Sequence, residues 1–213
     1  SGNGKSVATL LEIAKGLGMG TGAVTTTRIT HATPATTYAH VCHRDAENTI
    51  AAQVVPGGTG YNSALGDGVD VLLGGGRQFF LPSSNGGKRT DGRDLTAELK
   101  AKSYTYVQSR TELDAAAAAT TKKLVGLFTS SHMSYDLDRD ASKEPSLAEM
   151  TDKAIEVLSK NSKGFFLMVE GGRIDHALHE TTARKALQDT VAFDDAIKLA
   201  LDKMQAKDPG LKN

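Results

Sequence analysis

Apolar positions in this chain follow two rhythms: short continuous runs, and longer stretches where they return every third or fourth residue. The first rhythm suits strands buried on both faces, the second helices with one buried stripe. Runs occur over 22–27, 69–73, 104–107, 123–128 and 164–169. Helical spacing occurs over 5–15, 45–55, 95–101, 111–119, 147–158 and 180–204. In the first helix Val7, Leu10, Leu11 and Ala14 share a face. In the last, Leu187, Val191, Ile197, Leu201 and Met204 recur at helical spacing, which predicts that they face the sheet. Strands and helices alternate throughout. The pattern predicts an α/β fold with a largely parallel central sheet flanked by helices on both faces.

Local signals sharpen these elements. Ser146-Leu147-Ala148-Glu149 has the form of a capping box, and Asp94 can cap the helix over 95–101. Thr33 followed by Pro34 reads as an N-cap and first helical residue, predicting a helix to about His43. The Gly74-Gly75-Gly76 triplet closes a strand and lets the backbone turn or approach a neighbour closely. The start, Gly2-Asn3-Gly4-Lys5-Ser6, holds half of a phosphate-binding P-loop, but the leading glycine and the preceding strand are missing.

The richest chemistry follows the run over 164–169. That run ends in Glu170, two glycines, and then Asp175, His176 and His179. In open α/β sheets ligands bind beyond the carboxyl ends of the strands. Glu170 is a hard oxygen donor suited to Mg²⁺, and an Asp-x-x-x-His pair suits Zn²⁺. The same residues also read as an ordinary polar loop after a strand. His31, Thr33 and Arg44 follow the strand over 22–27 and fall on the same rim.

Composition narrows the classes. Lys plus Arg and Asp plus Glu both total 25, so the formal charge is zero and nothing points to nucleic acid or an anionic membrane. No apolar run approaches the ~20 residues of a membrane span. Cys42 is a single cysteine and has no internal partner for a disulfide. No signal peptide is in view.

Three segments go beyond generic spacing. They are Thr25 to Ala35 with Ala39-His40-Val41 and Arg44 after it, Leu72-Leu73-Gly74-Gly75-Gly76-Arg77, and Gly164 to His179. In this order and separation they resemble the alkaline phosphatase family. Met150 to Ile155 and Phe193-Asp194-Asp195-Ala196 extend the resemblance, which covers essentially all of 1–213 as the middle portion of one domain.

The resemblance implies a phosphate monoester hydrolase with two zinc ions and one magnesium ion, acting through a phosphoserine intermediate. Thr33 and Glu170 match magnesium ligands, and Asp175 and His179 match two ligands of one zinc. Arg44 matches the arginine that grips phosphate as a bidentate fork. His31 and His176 match two variable positions near the metals and have the histidine form found in animal members. Phosphate monoesters and inorganic phosphate are the implied ligands, a homodimer the implied assembly, and the periplasm, cell surface, secreted space or vacuole the implied location. A calcium site of some members would fall near Phe128 and Glu144, with Thr129 replacing one glutamate.

The sequence also departs from the family pattern. The family's nucleophilic serine lies in an Asp-Ser-Ala segment, and no such segment occurs here. An aspartate bridging magnesium and zinc, and the remaining zinc ligands, are missing as well. The chain is therefore expected to be active only with the rest of the enzyme, for example as one part of a nicked polypeptide. A sulfatase-like or mutase-like relative, an inactive phosphate- or metal-binding fragment, and a P-loop hydrolase are the alternatives.

Overall fold

The computed structural model of the protein describes residues 5–210; Gly2-Asn3-Gly4 of the half P-loop lie outside them. Five parallel strands form one sheet in the order β3-β4-β2-β1-β5. They are β1 Gly20–Arg28, β2 Val71–Gly75, β3 Thr105–Val107, β4 Leu124–Leu127 and β5 Phe165–Glu170. Eight α-helices accompany them among the described residues: α1 Leu10–Gly16, α2 Ala32–Ala35, α3 Glu47–Ala52, α4 Leu95–Ala101, α5 Arg110–Ala115, α6 Leu147–Leu158, α7 Arg173–His179 and α8 Ala183–Lys207.

Successive strand residues feed two different cores, as a doubly covered sheet requires. Ala23, Leu72, Val125 and Leu127 pack with Leu11, Tyr38, Ile50, Leu95 and Leu99 on one face. Val24, Val71, Leu73 and Leu124 pack with Leu113, Met150, Ala154 and Val157 on the other. The α/β architecture with helices on both faces is thus the one the sequence pattern predicts.

Capping chemistry sets several helix starts. Ser146 accepts from the Glu149 amide at 3.1 Å while the Glu149 carboxylate accepts from the Ser146 amide at 2.8 Å. Asp94 caps α4 by accepting from the amides of Thr96 and Ala97. A second capping box, Thr9 with Glu12, starts α1 at Leu10. The helix therefore does not reach back to Val7; Val7 and Leu10 are exposed, and Leu11 and Ala14 carry the buried side.

Four other expectations are corrected. The α2 helix is one turn long, with His31 rather than Thr33 at the N-cap and Pro34 as its third residue. Proline is tolerated there because the first-turn amides have no intrahelical acceptor. The α5 helix ends at Ala115, so most of the alanine run lies outside it. Strand β5 pairs only with β1, so it is an edge strand and its six residues are half-buried. The α8 helix packs against α6 and α7, burying Ala186, Asp189 and Ala196. Leu187, Val191, Ile197 and Leu201 are 69%, 53%, 43% and 50% exposed and do not face the sheet.

The strand order reverses at β1, whose neighbours are β2 on one side and β5 on the other. Pairing between β1 and β2 slips out of register between Val24 and Arg28, at the carboxyl end. That end carries the polar residues described next.

Candidate active site at the carboxyl rim of the sheet

Strand register places Thr25 beside Glu170. The Thr25 hydroxyl donates to Glu170 Oε2 at 2.6 Å, and the Thr27 hydroxyl lies 3.3 Å from the same oxygen. Both threonines are fully buried. A carboxylate held by hydroxyl groups stays in one orientation, as a metal ligand must. The backbone crowds in behind it: a Cβ at Gly172 would overlap the Thr27 methyl and lie 2.8 Å from the Glu170 carboxyl carbon.

His31 N-caps α2 just past β1. Its Nε2 lies 3.1 Å from Arg44 Nη2, which places the guanidinium on the rim. Thr33 is exposed in the first turn of α2. The α7 helix follows Gly172 and carries the rest of the polar cluster. Asp175 and His179 stand one turn apart, with Oδ1 and Nε2 separated by 3.5 Å and both side chains largely exposed. His176 turns inward, and its Nδ1 lies 2.8 Å from Arg173 Nη1.

The structure adds residues that the sequence reading missed. His132, in the loop after β4, stands edge-on to both other imidazoles. Ring centroids are 5.2 Å apart for His31 and His132, 4.3 Å for His132 and His176, and 5.4 Å for His31 and His176. The rule that drew attention to His31, a histidine just past a strand's carboxyl end, applies equally to His132. Arg28 ends β1 and grips Glu47 of α3 through Nε and Nη2, both at 2.8 Å, while Thr30 donates to Glu47 at 2.6 Å. The third guanidinium nitrogen, Nη1, contacts His132 Nε2.

This crowding keeps the imidazoles neutral. Desolvation, then Arg28, pushes His132 down to about 3. Burial and the Arg28 and Arg44 charges lower His31, against a pull upward from Glu170 and Glu47. Burial and Arg173 lower His176. Neutral imidazoles present a lone pair, the state in which histidine binds metals.

The donor set fits divalent cations in part. Glu170 and the Thr33 hydroxyl are the hard oxygen donors expected for magnesium, and Asp175 and His179 would make only two of the three or four ligands that zinc sites use. In the region implied for calcium, Glu144 instead accepts from the amide and hydroxyl of Ser134 at 2.9 and 2.7 Å.

The alkaline phosphatase family profile matches residues 1–211. The chain belongs to the alkaline phosphatase family. It is 42% identical to the membrane-bound alkaline phosphatase of Bombyx mori, an alignment covering 94% of this chain and 40% of that protein. The crystal structure of Thermus thermophilus alkaline phosphatase superposes with a TM-score of 0.79 at 38% identity, covering 92% of this chain and 38% of that one. The TAB5 alkaline phosphatase, as a histidine-to-aspartate variant described with Mg bound in its M3 site, superposes with a TM-score of 0.77 at 31% identity. That match covers 97% of this chain and 54% of that one. The chain thus spans well under two thirds of the length of these relatives. Among its described residues no helix is long and apolar enough to cross a membrane.

Proposed function

We propose that this chain supplies the phosphate-gripping and magnesium-binding part of a metal-dependent phosphomonoesterase centre. The observation that carries the reading is Arg44, placed against His31 at the same strand rim as Glu170. Its guanidinium binds two non-bridging phosphate oxygens and stabilises the charge that builds on them during transfer. Glu170, aligned by Thr25 and Thr27, and Thr33 hold magnesium, while Asp175 and His179 hold part of one zinc. When bound, the zinc pair would supply charge stabilisation for the attacking and leaving oxygens of an in-line displacement.

His31 and His176 stay uncharged at neutral pH, so they do not compete with cations by repulsion. The side chains named here grip the phosphoryl group and not the leaving group, which fits a broad range of phosphate monoesters.

No Asp-Ser-Ala segment occurs in the 213 residues, so the attacking serine comes from polypeptide outside this stretch. We read 1–213 as the middle of one larger α/β domain, in a homodimeric enzyme working outside the cytoplasm. The relatives' lengths support the larger domain and the membrane-bound Bombyx mori protein supports the location, while the homodimer rests on family resemblance alone. The test is turnover of p-nitrophenyl phosphate and p-nitrophenyl sulfate with zinc and magnesium. The chain combined with serine-bearing polypeptide should cleave the phosphate ester and spare the sulfate. Equal cleavage of both, or cleavage of phosphate by the chain alone, would overturn it.

A further inference from the structure

His31, His132 and His176 each offer a ring nitrogen, and these atoms lie within 4.8 Å of one another. The three rings come from three separate places: the N-cap of α2, the loop after β4, and α7. All three are half-buried. The hydrogen bonding of the cluster is unsatisfied at two points. His31 Nδ1 is buried without any hydrogen bond. His132 faces two donors at once, the Arg28 amide on Nδ1 at 3.2 Å and Arg28 Nη1 on Nε2. A neutral imidazole has one lone pair, so it cannot accept both.

We propose that His31, His132 and His176 form a three-imidazole site for a late first-row divalent cation, separate from the oxygen-ligated magnesium of Thr33 and Glu170. Imidazole ligands favour zinc, copper, nickel or cobalt, whereas magnesium demands oxygen. Metal–nitrogen bonds of about 2.0–2.1 Å require the ring nitrogens to close in modestly from their present spacing. Three guanidiniums surround the cluster: Arg28, Arg44 and Arg173 each touch one of the rings. A bare dication is disfavoured there, so the fourth ligand is an anion, and Arg44 places phosphate in reach of that position. The site goes beyond the phosphatase reading, because His132 has no part in that reading and cation binding needs no turnover.

Cobalt(II) is the probe, since four-coordinate cobalt absorbs far more strongly in the visible than the six-coordinate ion. Titrated into magnesium-saturated protein, it should give a four-coordinate spectrum with one cobalt per chain. His132→Asn, which keeps an acceptor for the Arg28 amide, should weaken binding at least tenfold with an unchanged thermal melt. His179→Ala should leave the spectrum and affinity intact. Inorganic phosphate should tighten cobalt binding. An unchanged titration in His132→Asn, or loss of the spectrum in His179→Ala, would overturn the assignment. Release of cobalt by phosphate would overturn the anionic fourth ligand. Because no step depends on hydrolysis, an inactive chain that passes this test leaves the site standing.

Discussion

The hydroxyl of Thr25 reaches Oε2 of Glu170 at 2.6 Å across two paired parallel strands. This bond fixes a carboxylate that would otherwise swing freely at the end of an edge strand. Thr25→Val keeps the shape and removes the donor. Because orienting partners of this kind are worth about 10–100-fold in metal affinity, magnesium binding should weaken by that order. A magnesium titration of the two proteins checks it, with a thermal melt to show that the core is intact.

Arg28 and Glu47 form a bidentate pair whose side chains are 18% and 9% exposed. Removing one partner strands the other in a poorly hydrated place. Glu47→Ala should destabilise the protein by about 3 kcal/mol. Arg28→Met with Glu47→Leu should cost less than the sum of the single changes. Urea denaturation of the four proteins measures the difference.

In the proposed function Arg44 grips phosphate through its guanidinium fork, which lysine lacks. In the serine-complemented enzyme Arg44→Lys should lower kcat/KM for phosphate monoesters by about 10–100-fold, equivalent to ~1.4–2.7 kcal/mol of transition-state stabilisation. Thermal stability should be unchanged, because Arg44 is exposed. Steady-state kinetics with p-nitrophenyl phosphate reads this directly.

Asp189 is buried in α8, where desolvation and the nearby Asp136 carboxylate push it up to about 6, although it accepts the Asp136 amide at 3.2 Å. A raised acid stabilises the fold while it is protonated. Its contribution is complete below about 3.8 and is lost as pH rises through about 6. Asp189→Asn should therefore stabilise the protein at pH 7.5 by about 1–2 kcal/mol and give no gain at pH 3.5. Melting curves at the two pH values test the sign.

Much of this was legible in the chain because strands and helices announce themselves by period. The runs at 69–73, 123–128 and 164–169 became β2, β4 and β5, and Ser146 with Glu149 marked the start of α6. Helix bounds were harder. The apolar Val7 drew α1 forward although Thr9 and Glu12 carried the true start, and Pro34 fits the first helical turn at more than one position. The stripe of Leu187, Val191, Ile197 and Leu201 shows why period has limits: it identifies an apolar face without saying what covers it. The rim residues Glu170, His31 and Arg44 were visible because they follow strands within a known motif. His132, Arg28 and Glu47 were missed because their meeting depends on three elements converging in space, which spacing along one segment does not encode.

The central claim is that Arg44, His31 and Glu170 form the phosphate-binding rim of a metal centre. Calorimetric titration of inorganic phosphate into the protein, with magnesium and zinc present, tests it most directly when wild type is set beside Arg44→Ala. Saturable binding that weakens at least tenfold in Arg44→Ala is the predicted result. Equal binding by the two proteins, or none by wild type, would contradict the claim.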